Sequence, residues 1–168
     1  QVGYTVTVNK TEMEYEGSYT LKVEIHEGYT ATEDFKIIIS NWECGQQAGV
    51  EETYMNAIAD QIIEVRGVAD ITPPAAEIKV KENKWTSFWN NITLGLFFKE
   101  TQDVRITAND KGVGVDAIYY YLADSELELD EVKAITDWQE YNGAFQINPN
   151  NRYVIYAKAV DKNGNTTY

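Results

Sequence analysis

The sequence predicts an all-β protein: two tandem β-sandwich units joined by a short Pro-Pro linker, with a small unit over residues 1–70 and a larger one over 71–168. Three observations predict it. Short runs alternate apolar and polar residues, and turn signals separate them at intervals of roughly eight to twelve residues. Twelve Tyr, four Trp and many Val, Ile and Thr favour strands over helices. The stretch Val68-Ala69-Asp70-Ile71-Thr72-Pro73-Pro74 then interrupts the pattern. Neither proline can donate to a sheet ladder, and each holds the residue before it extended, so the pair reads as a stiff connector.

In the first unit, Tyr4–Val8 alternates as a half-buried strand. Tyr19–His26 does so more clearly, with Tyr19, Leu21, Val23 and Ile25 on one face and Thr20, Lys22, Glu24 and His26 on the other. Gly28 permits a turn, and Phe35–Ile39 supplies the next strand. The polar stretch Asn41–Gly49 reads as a loop. Glu51–Met55 is a short strand and Ile62–Val68 the last before the junction.

In the second unit, Glu77–Val80, Leu94–Phe98, Asp103–Ala108 and Ala117–Leu122 read as strands. Leu129–Ile135 is the one helical pattern: Leu129, Val132 and Ile135 stand three apart behind acidic residues, which suit a helix N-terminus. Trp138–Tyr141, Phe145–Ile147, Arg152–Val160 and Thr166–Tyr168 complete the strands. Turns fall at Asn109–Gly112 and Asp161–Asn165.

Composition narrows the function. The net charge of −13 opposes nucleic acid, which needs Lys and Arg to displace counterions, and opposes an anionic membrane surface. Residues 1–70 carry a balance of −9 and residues 71–168 one of −4. No apolar run approaches the roughly 18 residues of a membrane span. Cys44 is the only cysteine, so no internal disulfide forms.

Several stretches resemble a known family. Gly28-Tyr29-Thr30, Asp34–Ile37, Ile62–Val68 and Asp70–Pro74 run in an order similar to modules of large surface proteins from Gram-positive gut bacteria. Val104–Asp110, Ile118–Leu122 and Tyr153–Asn165 resemble a bacterial immunoglobulin-like domain of the same proteins. The resemblance implies two tandem immunoglobulin-like sandwiches at the cell surface, beside neighbouring modules of the same chain and outside the membrane. It implies a non-catalytic spacer or adhesion role, with a host or cell-surface protein or glycan as partner. It also raises the idea of a Lys–Asn isopeptide bond in place of disulfides, with no trio identified. The alternative is a carbohydrate-binding or accessory module of a secreted glycan-active enzyme.

Candidate chemistry is sparse. Glu51-Glu52, Asp124/Glu126/Glu128 and Asp130-Glu131 are paired carboxylates, but acid–base hydrolysis needs two carboxyls flanking one bond, and bunched loop acids usually mark a solvated surface. His26, the single histidine, and Cys44 show no spacing that supports a dyad. No catalytic residue and no cofactor is therefore assigned. Calcium is the metal to consider: Asp161, Asn163 and Asn165 offer oxygens at every second position, and Asn109-Asp110 stand on a second turn able to converge with them. Ordinary turns use the same residues. For ligand binding the candidates are Trp85, Trp89, Trp138, Tyr119 and Tyr121. The tryptophans suit either a sugar-stacking platform or a core. Within Tyr119-Tyr120-Tyr121, period-two geometry puts Tyr120 on one face and its neighbours on the other, so a core Tyr120 leaves an outer aromatic stripe.

Overall fold

A computed structural model describes residues 3–80, 101–148 and 153–168. They form antiparallel sheets with one short helix, in two compact units, 1–72 and 73–168. Trp85, Trp89, Pro149, Arg152 and the strand expected at Leu94–Phe98 lie outside the described residues.

The first unit holds β1 (Tyr4–Val8), β2 (Gly17–Ile25), β3 (Tyr29–Ile39), β4 (Trp42–Cys44), β5 (Glu51–Ala57) and β6 (Ile63–Asp70). Two three-stranded sheets, ordered β1-β2-β5 and β4-β3-β6, bury their apolar faces together. The alternation read from Tyr19 to Ile25 decides the inward side: Tyr19, Leu21 and Val23 are buried, against Ile37 and Ile39 of β3, Cys44 of β4 and Val65 of β6. Leu21 and Ile37 are completely inaccessible.

Here the structure corrects the sequence reading. The supposed loop Asn41–Gly49 contains β4, which pairs with β3 through Ile39↔Trp42. Only Ser40 and Asn41 lie between those partners, and both have positive φ, 48° and 72°. Two successive left-handed residues match the twist of a two-residue hairpin, but Ser40 is an unusual occupant and hides the turn from a search for glycine. β3 is also longer than Phe35–Ile39. Its register against β6 shifts between Ala31 and Lys36, where extra β3 residues bulge. Gly67 accommodates the bulge: a Cβ there would stand 2.4 Å from the Phe35 nitrogen. With φ at 71°, Gly67 is restricted twice over.

The expected connector is shorter than its sequence suggests, because β6 continues through Asp70 and the next strand begins at Ala75. Ile71 N and Thr72 Oγ1 both donate to Gly28 O, at 2.9 and 3.2 Å, and Thr72 N donates to Asp70 Oδ1 at 2.9 Å. Ile71 and Thr72 are thus tied to the β2–β3 turn.

The second unit comprises β7 (Ala75–Val80), β8 (Gln102–Asn109), β9 (Val115–Ala123), α1 (Leu129–Ala134), β10 (Gln139–Glu140), β11 (Phe145–Ile147), β12 (Val154–Asp161) and β13 (Thr166–Thr167). Its sheets run β11-β8-β7 and β10-β9-β12-β13. Val104, Ile106, Ile147 and Ala157 form the buried centre, flanked by Ile78, Ile118, Tyr120, Leu122 and Ile155. The six-residue α1 buries Val132, and Glu131 Oε2 accepts from the Glu128 amide at 2.8 Å, which satisfies an otherwise open helix N-terminus. Surface ion pairs such as Lys22–Glu24 and Arg66–Glu64 join exposed side chains two residues apart and add little stability.

Candidate functional site

The outer face of β9 and β12 gathers three of the residues singled out for binding. The core takes Tyr120, whose ring stacks on Phe145 with centroids 4.2 Å apart. Period-two geometry then turns Tyr119 and Tyr121 outward. Lys158 stands directly across from Tyr119, and Tyr156 across from Tyr121. The Trp138 ring joins them, edge-on to Tyr121 at 6.3 Å and 6.0 Å from Tyr168. Into this group comes the Lys158 ammonium, 4.5 Å from the Tyr119 ring centre and 5.1 Å from that of Trp138. At those distances the negative ring faces attract the cation. Among the described residues no carboxylate lies within ion-pair reach of Lys158.

One end of this face is closed. The Tyr156 hydroxyl accepts from Leu127 N at 2.6 Å and lies 3.3 Å from Leu127 O, anchoring the segment that leads into α1. At the other edge Glu140 stands across from Tyr119 on β10, on the side away from Lys158. Near that edge an open depression of about 330 Å³ is lined by Tyr120, Glu140, Asn142, Gly143, Ala144 and Phe145.

The residues considered for calcium form a self-closed turn. Asp161, 1% exposed, accepts at Oδ1 from Asn163 N and Asn165 N, at 2.8 and 2.9 Å, and at Oδ2 from the Asn165 amide at 2.8 Å. Burial pushes its carboxyl upward, but the bonds from Asn165, Asn163 and Gly164 outweigh it and hold the pKa below the ordinary value. The turn at Asp110 is built alike: Oδ2 accepts from Gly112 N and Gly114 N, at 3.0 and 2.6 Å. Oδ1 of Asp110 is buried with no hydrogen-bond partner among the described residues. Carboxylate oxygens of Asp110 and Asp161 lie within 4.8 Å of each other. Their other oxygens already serve the turns.

His26 and Cys44 have separate roles. His26 Nε2 meets Thr5 Oγ1 at 2.6 Å on the surface, whereas the buried Cys44 thiol donates to Ile37 O at 3.0 Å. Of the carboxylate pairs, Glu131 caps the helix and Glu52 lies 3.4 Å from the Tyr54 hydroxyl.

Sequence reasoning misses a buried polar cluster in the first unit. Gln46, 3% exposed, donates to Leu21 O at 2.9 Å and Val50 O at 2.7 Å, and its Oε1 accepts from the Tyr54 hydroxyl at 2.8 Å. Tyr54 stacks on Tyr19 at 5.5 Å. Burial pushes both phenols to higher pKa, and nearby Cys44 adds to it. Only alternation marks Tyr19 as inward; a glutamine in the polar run Gly45-Gln46-Gln47 gives no comparable signal.

No family model, curated protein or solved structure matches this chain.

Proposed function

We propose that this chain is a non-catalytic spacer and adhesion segment of an extracellular bacterial surface protein, built from two immunoglobulin-like sandwiches. The observation that carries the reading is what the polar side chains do. Asp161 closes a turn, Glu131 caps a helix, Cys44 bonds a strand carbonyl and Gln46 joins three backbone and side-chain groups. These residue types serve construction, as a module under tension requires. Each unit also has its own apolar centre, so each resists unfolding by itself. The adhesive part of the reading rests on the outer β9–β12 face, where Tyr119, Tyr121, Trp138 and Tyr168 present aromatic area with polar tips.

Pulling the chain from its two ends by force spectroscopy tests the spacer role. Two separate unfolding steps are expected, with contour gains in the ratio of the 72- and 96-residue units. Turnover of a glycan, ester or peptide substrate, abolished by Asp110→Asn or Glu140→Gln, would contradict it.

A further inference from the structure

We propose that the outer β9–β12 face binds a carboxylate-bearing sugar, with Lys158 taking the carboxylate and Trp138 and Tyr121 taking the pyranose ring. The inference rests on the adhesive reading of this face and gives it a ligand chemistry.

The argument begins with Lys158. Among the described residues Lys22, Lys36, Arg66 and Lys79 pair with carboxylates, and the other lysines and arginines, Lys158 among them, do not. Lys158 differs from those in that its half-buried ammonium is held over two aromatic rings. Rings attract the ammonium but leave it free to pair with an incoming anion.

The surroundings then select the anion. A sheet face is broad and shallow, and the rings of Tyr121, Trp138 and Tyr168 follow one another at about 6 Å beside the ammonium, inclined by 62° and 50°, so a ligand ring stacks on one and meets the edge of the next. Sugar rings present apolar C–H faces that stack on such surfaces, and the phenol hydroxyls at the rim suit their hydroxyl groups. An extended acidic peptide would instead use a sheet edge, where main-chain bonds supply affinity. A neutral sugar would stack but leave the ammonium unpaired. Glu140, across Tyr119 from Lys158, is an opposing charge beside the face. Two strand spacings, about 10 Å, separate their backbones, so it repels an anionic ligand weakly without cancelling the cation.

The test uses the whole chain labelled with ¹⁵N. Titration with trigalacturonate is followed at the Trp138 indole resonance, identified by its loss in Trp138→Phe. The fully methyl-esterified trisaccharide and decaglutamate are titrated alongside. The expected result is a shift of the Trp138 resonance with trigalacturonate, with the ester binding at least about fivefold more weakly. Lys158→Gln removes the preference for the acid, Lys158→Arg retains it, and Glu140→Gln strengthens it. The arginine variant and an unchanged circular dichroism spectrum guard against a folding defect. Equal binding of acid and ester, or an unaltered preference in Lys158→Gln, would overturn the acidic-sugar assignment while leaving the face adhesive. Decaglutamate binding as tightly as trigalacturonate would replace the sugar with an acidic peptide. No shift with any probe at about 10 mM would overturn the assignment and the adhesive role of this face together.

Discussion

The two units use tyrosine in opposite ways. In the first, Tyr19 and Tyr54 stack where two sheets meet, and Tyr54 enters a buried network with Gln46. In the second, Tyr120 fills the core while Tyr119, Tyr121 and Tyr168 lie outside with Trp138 around a lysine. One residue type therefore closes the first unit and furnishes a surface on the second. The difference comes from partners. The inward Tyr54 phenol brings a hydroxyl that needs a bond, and Gln46 supplies one. An outward phenol at the rim keeps its hydroxyl in water, where no internal partner is needed.

The contrast can be broken most forcefully at Gln46. Gln46→Ala removes the bonds to the Leu21 and Val50 carbonyls and to the Tyr54 hydroxyl, leaving the last only its 3.4 Å contact with Glu52, so a loss of roughly 2–4 kcal/mol is expected. Cys44, the single thiol, reports it: its reaction with an aromatic disulfide reagent should accelerate, because opening the first unit exposes it. Unchanged reactivity would mean that the network is dispensable.

Titration separates the units next. The Tyr54 and Tyr19 phenols have raised pKa values in the folded chain, so their contribution is complete below the ordinary phenol value near 10 and is lost as pH rises above it. The Asp161 carboxyl is lowered. Its contribution is present above the ordinary aspartate value near 3.9 and is lost as pH falls through the depressed folded one. Alkali should therefore weaken the first unit, and acid the Asp161 turn of the second. Circular dichroism melts across pH, repeated with Tyr54→Phe and Asp161→Asn, check both arms: each variant should flatten only its own.

The smallest effect is expected at Tyr19. Its hydroxyl is buried without a hydrogen-bond partner among the described residues. Removing an unpaired buried polar atom costs nothing, so Tyr19→Phe should leave stability unchanged or raise it by up to about 1 kcal/mol. A clear loss in a denaturant titration would show that the hydroxyl is bonded.

Alternation makes the strands legible, because one face of each sheet is buried and the other wet. From the residue pattern alone, Leu21 and Val23 share one face, Ile106 falls inward, and Tyr120 stands on the face opposite Tyr119 and Tyr121; the fold supplies which face of β9 is the core one. The β3–β4 hairpin is not legible, since Ser40 and Asn41 make its turn without a glycine. Nor is Gln46, whose role depends on carbonyls of Leu21 and Val50 that only the folded chain brings to it. The Asp161 turn is legible as a turn, but residue types alone do not separate a metal loop from one closed by its own amides. Lys158 escapes notice for a related reason: its position over Tyr119 and Trp138 depends on β9 and β12 pairing in one particular register.

Hydroxyl-radical footprinting of the whole chain puts the contrast between the two units to a direct test, with mass spectrometry reading each residue against the same chain in denaturant. Strong protection of Tyr19 is expected, with Tyr121, Trp138 and Tyr168 oxidised readily. Tyr19 labelled as fast as Trp138 would refute the division of inward and outward aromatics.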